Sequence, residues 1–198
     1  RFNMAKIHFY YGAMNASKTT LLINNADNYQ RSGLKPIVIK PSIDTRENLE
    51  GVVVNRRGNT FPATIIDSND PHAFWEVCRE DIVGKADVVL IDEVQFFSVE
   101  IMEILRSIVD TYEIPVICYG LRNSFNNKGF PSVIWLLQHA DKLYEMKSIC
   151  HCGKKATHNL MVLNGAAFYN SDNPIHVGDS EYHSVCRACF NKGSFKER

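Results

Sequence analysis

Eight residues near the start of the chain, Gly12, Ala13, Met14, Asn15, Ala16, Ser17, Lys18 and Thr19, have the types and spacing to hold a polyphosphate. The phosphate-loop pattern is Gly, four residues, Gly, Lys, then Ser or Thr. The chain fits it at every defined position except one, where Ser17 stands in place of the second Gly. Backbone N–H groups at a turn into a helix N-terminus make a nest for anions. Lys18 is expected to reach the β- and γ-phosphates of ATP, and the Thr19 hydroxyl to ligate Mg2+. The Cβ and hydroxyl of Ser17 enter a crowded turn, so nucleotide binding is expected to be weaker than with Gly but retained.

A second group closes the apolar run Val88, Val89, Leu90, Ile91 with two carboxylates, Asp92 and Glu93. Ligands of open α/β sheets bind beyond the carboxyl ends of the strands. Asp92 there is expected to hold magnesium through a bound water. Glu93 is expected near the γ-phosphate, as the base for an attacking hydroxyl. The nucleotide-binding set is expected to continue through Val94 and Gln95.

A third group is Cys150 and Cys152, then Cys186 and Cys189, a C-x-C and a C-x-x-C pair separated by 33 residues. Four thiolates make a closed tetrahedral zinc site with no position for water, so the expected zinc is structural. His151 is an alternative ligand, and four free thiols are the competing reading. Cys78 and Cys118 lie in apolar stretches and read as core thiols.

The elements that must position these groups are legible in outline. Strands are expected at residues 7–11, 36–40, 88–91 and 114–119, as short apolar runs. Helices are expected from 18 to about 31, from 71 to about 82 after an Asp70 cap with Pro71 at the first position, and from 101 to 112. This alternation predicts an α/β fold with a parallel sheet and helices on both faces. It fades near Cys150, where Gly, Asn, Ser, Asp and His accumulate. The expected units are therefore 4–148, binding nucleotide, and 149–192, holding zinc.

Composition narrows the function classes. The 198 residues carry 22 basic and 22 acidic side chains, for no net charge. That is not the basic footprint of a duplex-binding protein, and no nucleic-acid partner is expected. No apolar run of about 18 residues suggests a membrane span. Residues 1–3 precede Met4, which reads as a natural start, and the N-terminus does not resemble a signal peptide. The six cysteines are therefore read in a reducing, cytoplasmic setting, a host cytoplasm if the source is a phage.

The ordered set of motifs resembles the type II thymidine kinases, the cellular, bacterial and large-phage type. The resemblance rests on Tyr10 to Thr19, on Lys40-Pro41-Ser42-Ile43-Asp44-Thr45-Arg46, and on Asp92-Glu93-Val94-Gln95-Phe96-Phe97. It extends to Tyr119-Gly120-Leu121-Arg122, to the cysteines, and to Tyr182-His183-Ser184-Val185-Cys186. It implies a RecA-like domain followed by a small zinc domain whose long loop, the lasso, folds over thymidine. It implies 5′-phosphorylation of thymidine or deoxyuridine by ATP, a homotetramer, and feedback inhibition by thymidine triphosphate. Glu93 would be the base, and Arg46 would stabilise the transferring phosphate. The thymine base would lie among Met14, Phe96, Leu121, Phe125, Phe130 and Tyr182, with lasso backbone contacts near Ile175, His176, Val177 and Gly178. The lasso is one residue shorter than the usual double-Gly version.

Three other readings compete. One is a kinase for another nucleoside or nucleotide. Another is a nucleic-acid motor of the RecA type, because Asp92-Glu93-Val94-Gln95 matches a helicase-like Asp-Glu-x-Gln. That reading meets a chain too short for a second motor domain. The third is a non-catalytic zinc module, which leaves Lys18 and Glu93 unexplained.

Overall fold

The structure, a computed structural model, describes residues 5–43, 51–169 and 181–196. Strand β1 (Ile7–Gly12) leads through the phosphate loop into helix α1 (Lys18–Arg31), and β2 (Pro36–Pro41) follows. Next come a hairpin of β3 (Val52–Val54) and β4 (Thr60–Pro62), strand β5 (Thr64–Ile66), and helix α2 (Pro71–Val77). A π-helical turn, Cys78–Ile82, extends α2 to the predicted end. Then follow β6 (Val88–Ile91), α3 (Val99–Tyr112), β7 (Val116–Leu121), α4 (Pro131–His139) and β8 (Lys142–Met146).

Six of these strands form one parallel sheet in the order β5-β2-β6-β7-β1-β8. The continuous apolar runs predicted this, because strands buried on both faces need no polar alternation. Alternate residues feed two cores. Phe9, Ile39, Val89, Ile91, Val116 and Cys118 pack with α2, α3 and α4 on one face. Val38, Val88, Leu90, Ile117 and Tyr119 pack with α1 and the β3–β4 hairpin on the other. The chain moves from β1 to β2 in one direction and from β6 through β7 to β8 in the other. A single crossover handedness therefore requires helices on opposite faces.

The strand predicted over 114–119 begins two residues later, at Val116. Pro115 carries no N–H for the ladder, and only its carbonyl joins, accepting from the Val89 N–H at 3.0 Å. Strand β8 was not predicted. It is an edge strand, and Lys142, Leu143, Tyr144 and Glu145 are exposed.

Beyond β8 the strands are short. β9 (Ser148–Ile149) pairs antiparallel with β10 (Lys155–Ala156). β11 (His158–Leu163) lies between β12 (Ala166–Phe168) and β13 (Glu181–Val185), and α5 (Arg187–Lys192) follows. Their small core holds Leu160, Val162, Val185 and Phe190 with Cys150, Cys186 and Cys189, while Cys152 is exposed. Among the described residues no helix is long and apolar enough to cross a membrane.

Candidate phosphoryl-transfer site and metal centre

Gly12 closes β1 against Met146, and a Cβ there would stand 2.5 Å from the Met146 carbonyl oxygen. Only glycine permits that approach. The loop then turns through Asn15 (φ 61°) and Ser17 (φ 58°), both left-handed. Ser17 is exposed, so its hydroxyl is not forced against the protein. No described side chain caps α1, and its first N–H groups are left for an anion. Lys18 is buried and folds back over the loop, donating to the Ala13 carbonyl at 3.0 Å.

Strand β6 delivers the carboxylates from two positions away in the sheet, across β7. The Thr19 hydroxyl donates to Asp92 Oδ2 at 3.1 Å. This pairing fits the expected arrangement, with the Thr19 hydroxyl on magnesium and Asp92 beside it, placed to hold a metal-bound water. Glu93 is buried at 7% exposure in a left-handed conformation (φ 46°, ψ 43°). Its Oε2 accepts from the Gln95 amide, whose own oxygen accepts from the Leu121 N–H at 3.0 Å. Gln95 thus ties the carboxylate to the end of β7. Gly120 permits this, because a Cβ there would meet Gln95 Oε1 at 2.8 Å and Val94 Cγ1 at 2.7 Å.

The cavity over these groups measures about 460 Å³. It brings together Met14, Asn15, Ala16, Ser17, Lys18, Thr19, Asp92, Glu93 and Leu121, all expected from the sequence at the site. Gly12 and Ala13 are buried beneath the loop. Val94 is fully buried in the core, and Gln95 is occupied behind Glu93; neither lines the cavity. Lys40, Val53, Val54, Asn55, Arg56 and Arg57 line it without having been assigned to the site. A local signal existed for the last three. Asn55 and Gly58 are suited to the first and last positions of a turn between apolar runs.

The aromatic residues assigned to a base form two edge-to-face pairs. Phe96 meets Phe130 at 6.3 Å between centroids, and Phe125 meets Tyr182 at 6.2 Å. Phe168, not assigned from sequence, lies 6.4 Å from Phe125. Met14 and Leu121, two of the positions expected to bind the base, line the cavity described above. Arg46, Ile175, His176, Val177 and Gly178 lie outside the described residues.

A buried asparagine joins the small strands to the phosphate loop. Asn159 on β11 accepts from the Met14 N–H at 2.7 Å and donates to the Asn123 carbonyl at 2.8 Å. Ser184 on β13 donates to the Met14 carbonyl. Both backbone groups of Met14 are held in this way.

The four sulfurs of Cys150, Cys152, Cys186 and Cys189 lie within 4.8 Å of one another. Cys152 Sγ is 3.5 Å from Cys150 Sγ and 3.6 Å from Cys186 Sγ. Tetrahedral zinc with Zn–S bonds of 2.3 Å requires about 3.8 Å between sulfurs, so the set fits. The Cys189 backbone N–H and the neighbouring thiols draw the Cys186 thiol down to about 6, toward the thiolate a metal needs. Burial and the neighbouring sulfurs push the Cys189 thiol up, to about 12. His151 is turned to the Ser194 carbonyl at 3.2 Å, outside this set.

A family model described as thymidine kinase matches residues 5–190. A thymidine kinase of Francisella tularensis subsp. tularensis (strain SCHU S4 / Schu 4) is 42% identical, covering 98% of this chain and 100% of that one. A thymidine kinase of Enterobacteria phage T4 is 41% identical, covering 96% and 97%. A third, from Vibrio vulnificus (strain CMCP6), is 39% identical, covering 93% and 95%.

Proposed function

The chain belongs to the thymidine kinase family, and on that premise we propose that it transfers the γ-phosphate of ATP to the 5′-hydroxyl of thymidine or deoxyuridine. The observation that carries the reading is one cavity holding Lys18, Thr19, Asp92 and Glu93, with Met14 and Leu121 on its wall. Phosphoryl transfer asks a protein for alignment and charge stabilisation more than for covalent chemistry. The α1 N-terminus and the loop N–H groups seat the triphosphate. Lys18 leaves the Ala13 carbonyl and neutralises charge on the β- and γ-phosphates. The Glu93 carboxylate accepts the proton of the 5′-hydroxyl as its oxygen attacks phosphorus, and ADP departs on the opposite side. Gln95 aims that carboxylate and, through the Leu121 N–H, couples its position to the wall beside the base.

Thr19 and Asp92 would hold magnesium, which when bound supplies charge neutralisation on the β- and γ-phosphates. The four cysteines would hold zinc as a closed structural centre. Residues 4–148 would serve the nucleotide and 149–192 the closure over the acceptor. Arg46 as phosphate stabiliser, the lasso contacts of Ile175, His176, Val177 and Gly178, a homotetramer, a cytoplasmic setting and inhibition by thymidine triphosphate complete the proposal on family resemblance.

The test is transfer of labelled γ-phosphate from ATP to a panel of nucleosides. Thymidine and deoxyuridine should be phosphorylated, and purine nucleosides and deoxycytidine should not. Preference for another nucleoside would replace the acceptor while keeping the reaction. No transfer to any nucleoside would overturn it.

A further inference from the structure

The β3–β4 hairpin stands apart from the six-stranded sheet, yet its tip reaches the phosphate cavity through Asn55, Arg56 and Arg57. Its base is closed by the Ala63 N–H on the Gly51 carbonyl at 2.9 Å. Its buried face, Val53 with Phe61, packs on Leu22 and Ala26 of α1. The hairpin is therefore anchored to the helix whose N-terminus forms the anion nest.

The tip itself is fixed by four hydrogen bonds. The Gly58 N–H donates to the Asn55 carbonyl at 2.9 Å, and the Asn55 N–H to the Asn59 carbonyl at 3.0 Å. The Asn55 side-chain oxygen accepts from both the Arg57 and Asn59 N–H groups, each at 3.0 Å. Asn55 is 5% exposed, and Gly58 takes the left-handed turn at φ 80°. This is a turn with Asn first and Gly last, and it places the two arginines at its central positions. A solvated tip would need no buried asparagine to hold it in one conformation.

Charge points to the occupant. Among the described residues the cavity gathers four cations, Lys18, Lys40, Arg56 and Arg57, against two carboxylates, Asp92 and Glu93. This described lining is cationic on balance, which suits the anionic phosphates of a nucleotide. Guanidinium forks suit phosphate oxygens because they donate two parallel hydrogen bonds. A rigid mount removes the ordering cost of placing them.

We infer that Arg56 and Arg57, held by the Asn55 turn, form a clamp supplied by the chain itself on the phosphates of the bound nucleoside triphosphate. The inference rests on the proposed reading of this cavity as the ATP site. The clamp secures the donor nucleotide and makes no contact with the acceptor nucleoside.

The experiment uses the full chain with Arg56→Ala, Arg57→Ala, the double variant, and the corresponding lysine variants. Displacement of a fluorescent ATP analogue by ATP, ADP and adenosine is measured beside steady-state KM for ATP and for thymidine. The double alanine variant should weaken ATP and ADP about tenfold or more, as expected for charged hydrogen bonds. Adenosine binding and the KM for thymidine should stay within about twofold of wild type by the same reasoning. Lysine should restore part of the loss, because charge returns without the fork. Asn55→Ala, which leaves both arginines in place, should weaken ATP several-fold. Unchanged ATP affinity in the double variant would overturn the clamp, as would equal losses for adenosine and ATP. If the wild-type chain phosphorylates no nucleoside, the proposed function fails, and the displacement titration still decides the clamp.

Discussion

Ser17 holds a left-handed backbone at the position where the phosphate-loop pattern has glycine. An L-residue there costs about 1–2 kcal/mol, and glycine returns about 0.5–1 kcal/mol of that through unfolded-chain entropy. Ser17→Gly should therefore raise stability by up to about 1.5 kcal/mol, read as a higher urea midpoint. It should also lower the KM for ATP, because the loop loses a Cβ and hydroxyl beside the phosphates. Glu93 gives a cleaner chemical test. Glu93→Gln keeps the acceptor for the Gln95 amide and removes the proposed base. Turnover should fall about 10²–10⁴-fold while thymidine binding, measured by calorimetry, persists. A near-wild-type rate would remove Glu93 from that role.

Between elements, the decisive contact is Asn159. It is fully buried on β11, and its amide is shared between the Met14 N–H and the Asn123 carbonyl. Asn159→Ala leaves a backbone donor and acceptor without these partners, at a cost of about 1–3 kcal/mol each where they stay dry. We expect a loss of at least about 2 kcal/mol in denaturant unfolding on that basis. The KM for thymidine should rise, because Met14 also walls the cavity. A variant equal to wild type in both measurements would show that Asn159 is not what holds Met14. The Gln95 bridge works at the same scale. An Asp-Glu-x-Gln run matches a motor motif in sequence, and the structure uses its glutamine to join β6 to β7.

At the scale of the molecule, the small strands near the C-terminus have a modest apolar core built largely around the cysteines. Zinc binding free energy in such units is folding free energy. Purified protein should contain one zinc per chain. Removing it with a strong chelator should lower the melting temperature and abolish thymidine phosphorylation, and re-addition should restore both. Full stability in metal-free protein would count against a structural centre. The main core predicts an alkaline limit. Burial pushes the Cys78 thiol from 9.0 up to about 12, and raises Cys118 and Tyr119 as well. The unfolded chain ionises at the ordinary value while the folded chain stays neutral. For Cys78 this stability is therefore complete below pH 9 and is lost as pH rises to about 12. The urea midpoint should fall across that window, and Cys78→Ala should flatten the slope.

Taken alone, the sequence determined the chemistry-bearing segments and the strands buried on both faces. Lys18 and Thr19 sit at a strand-to-helix turn, and Asp92 and Glu93 end an apolar run. Both are local patterns, readable because backbone geometry and burial act over a few residues. The same was true of the cysteine pairs, whose spacing pointed to a metal site, and their sulfurs lie within 4.8 Å of one another. Only the tertiary structure decided which distant groups meet. β8 was hidden because an edge strand needs no continuous apolar run. The Asn55 turn carried only a local Asn–Gly signal, and nothing in it pointed to a mount for Arg56 and Arg57, because the phosphate loop it faces lies about forty residues earlier. Asn159 looked like any loop asparagine until it was buried against Met14. Such contacts depend on strand order and helix face, which are set by the packing of the whole chain.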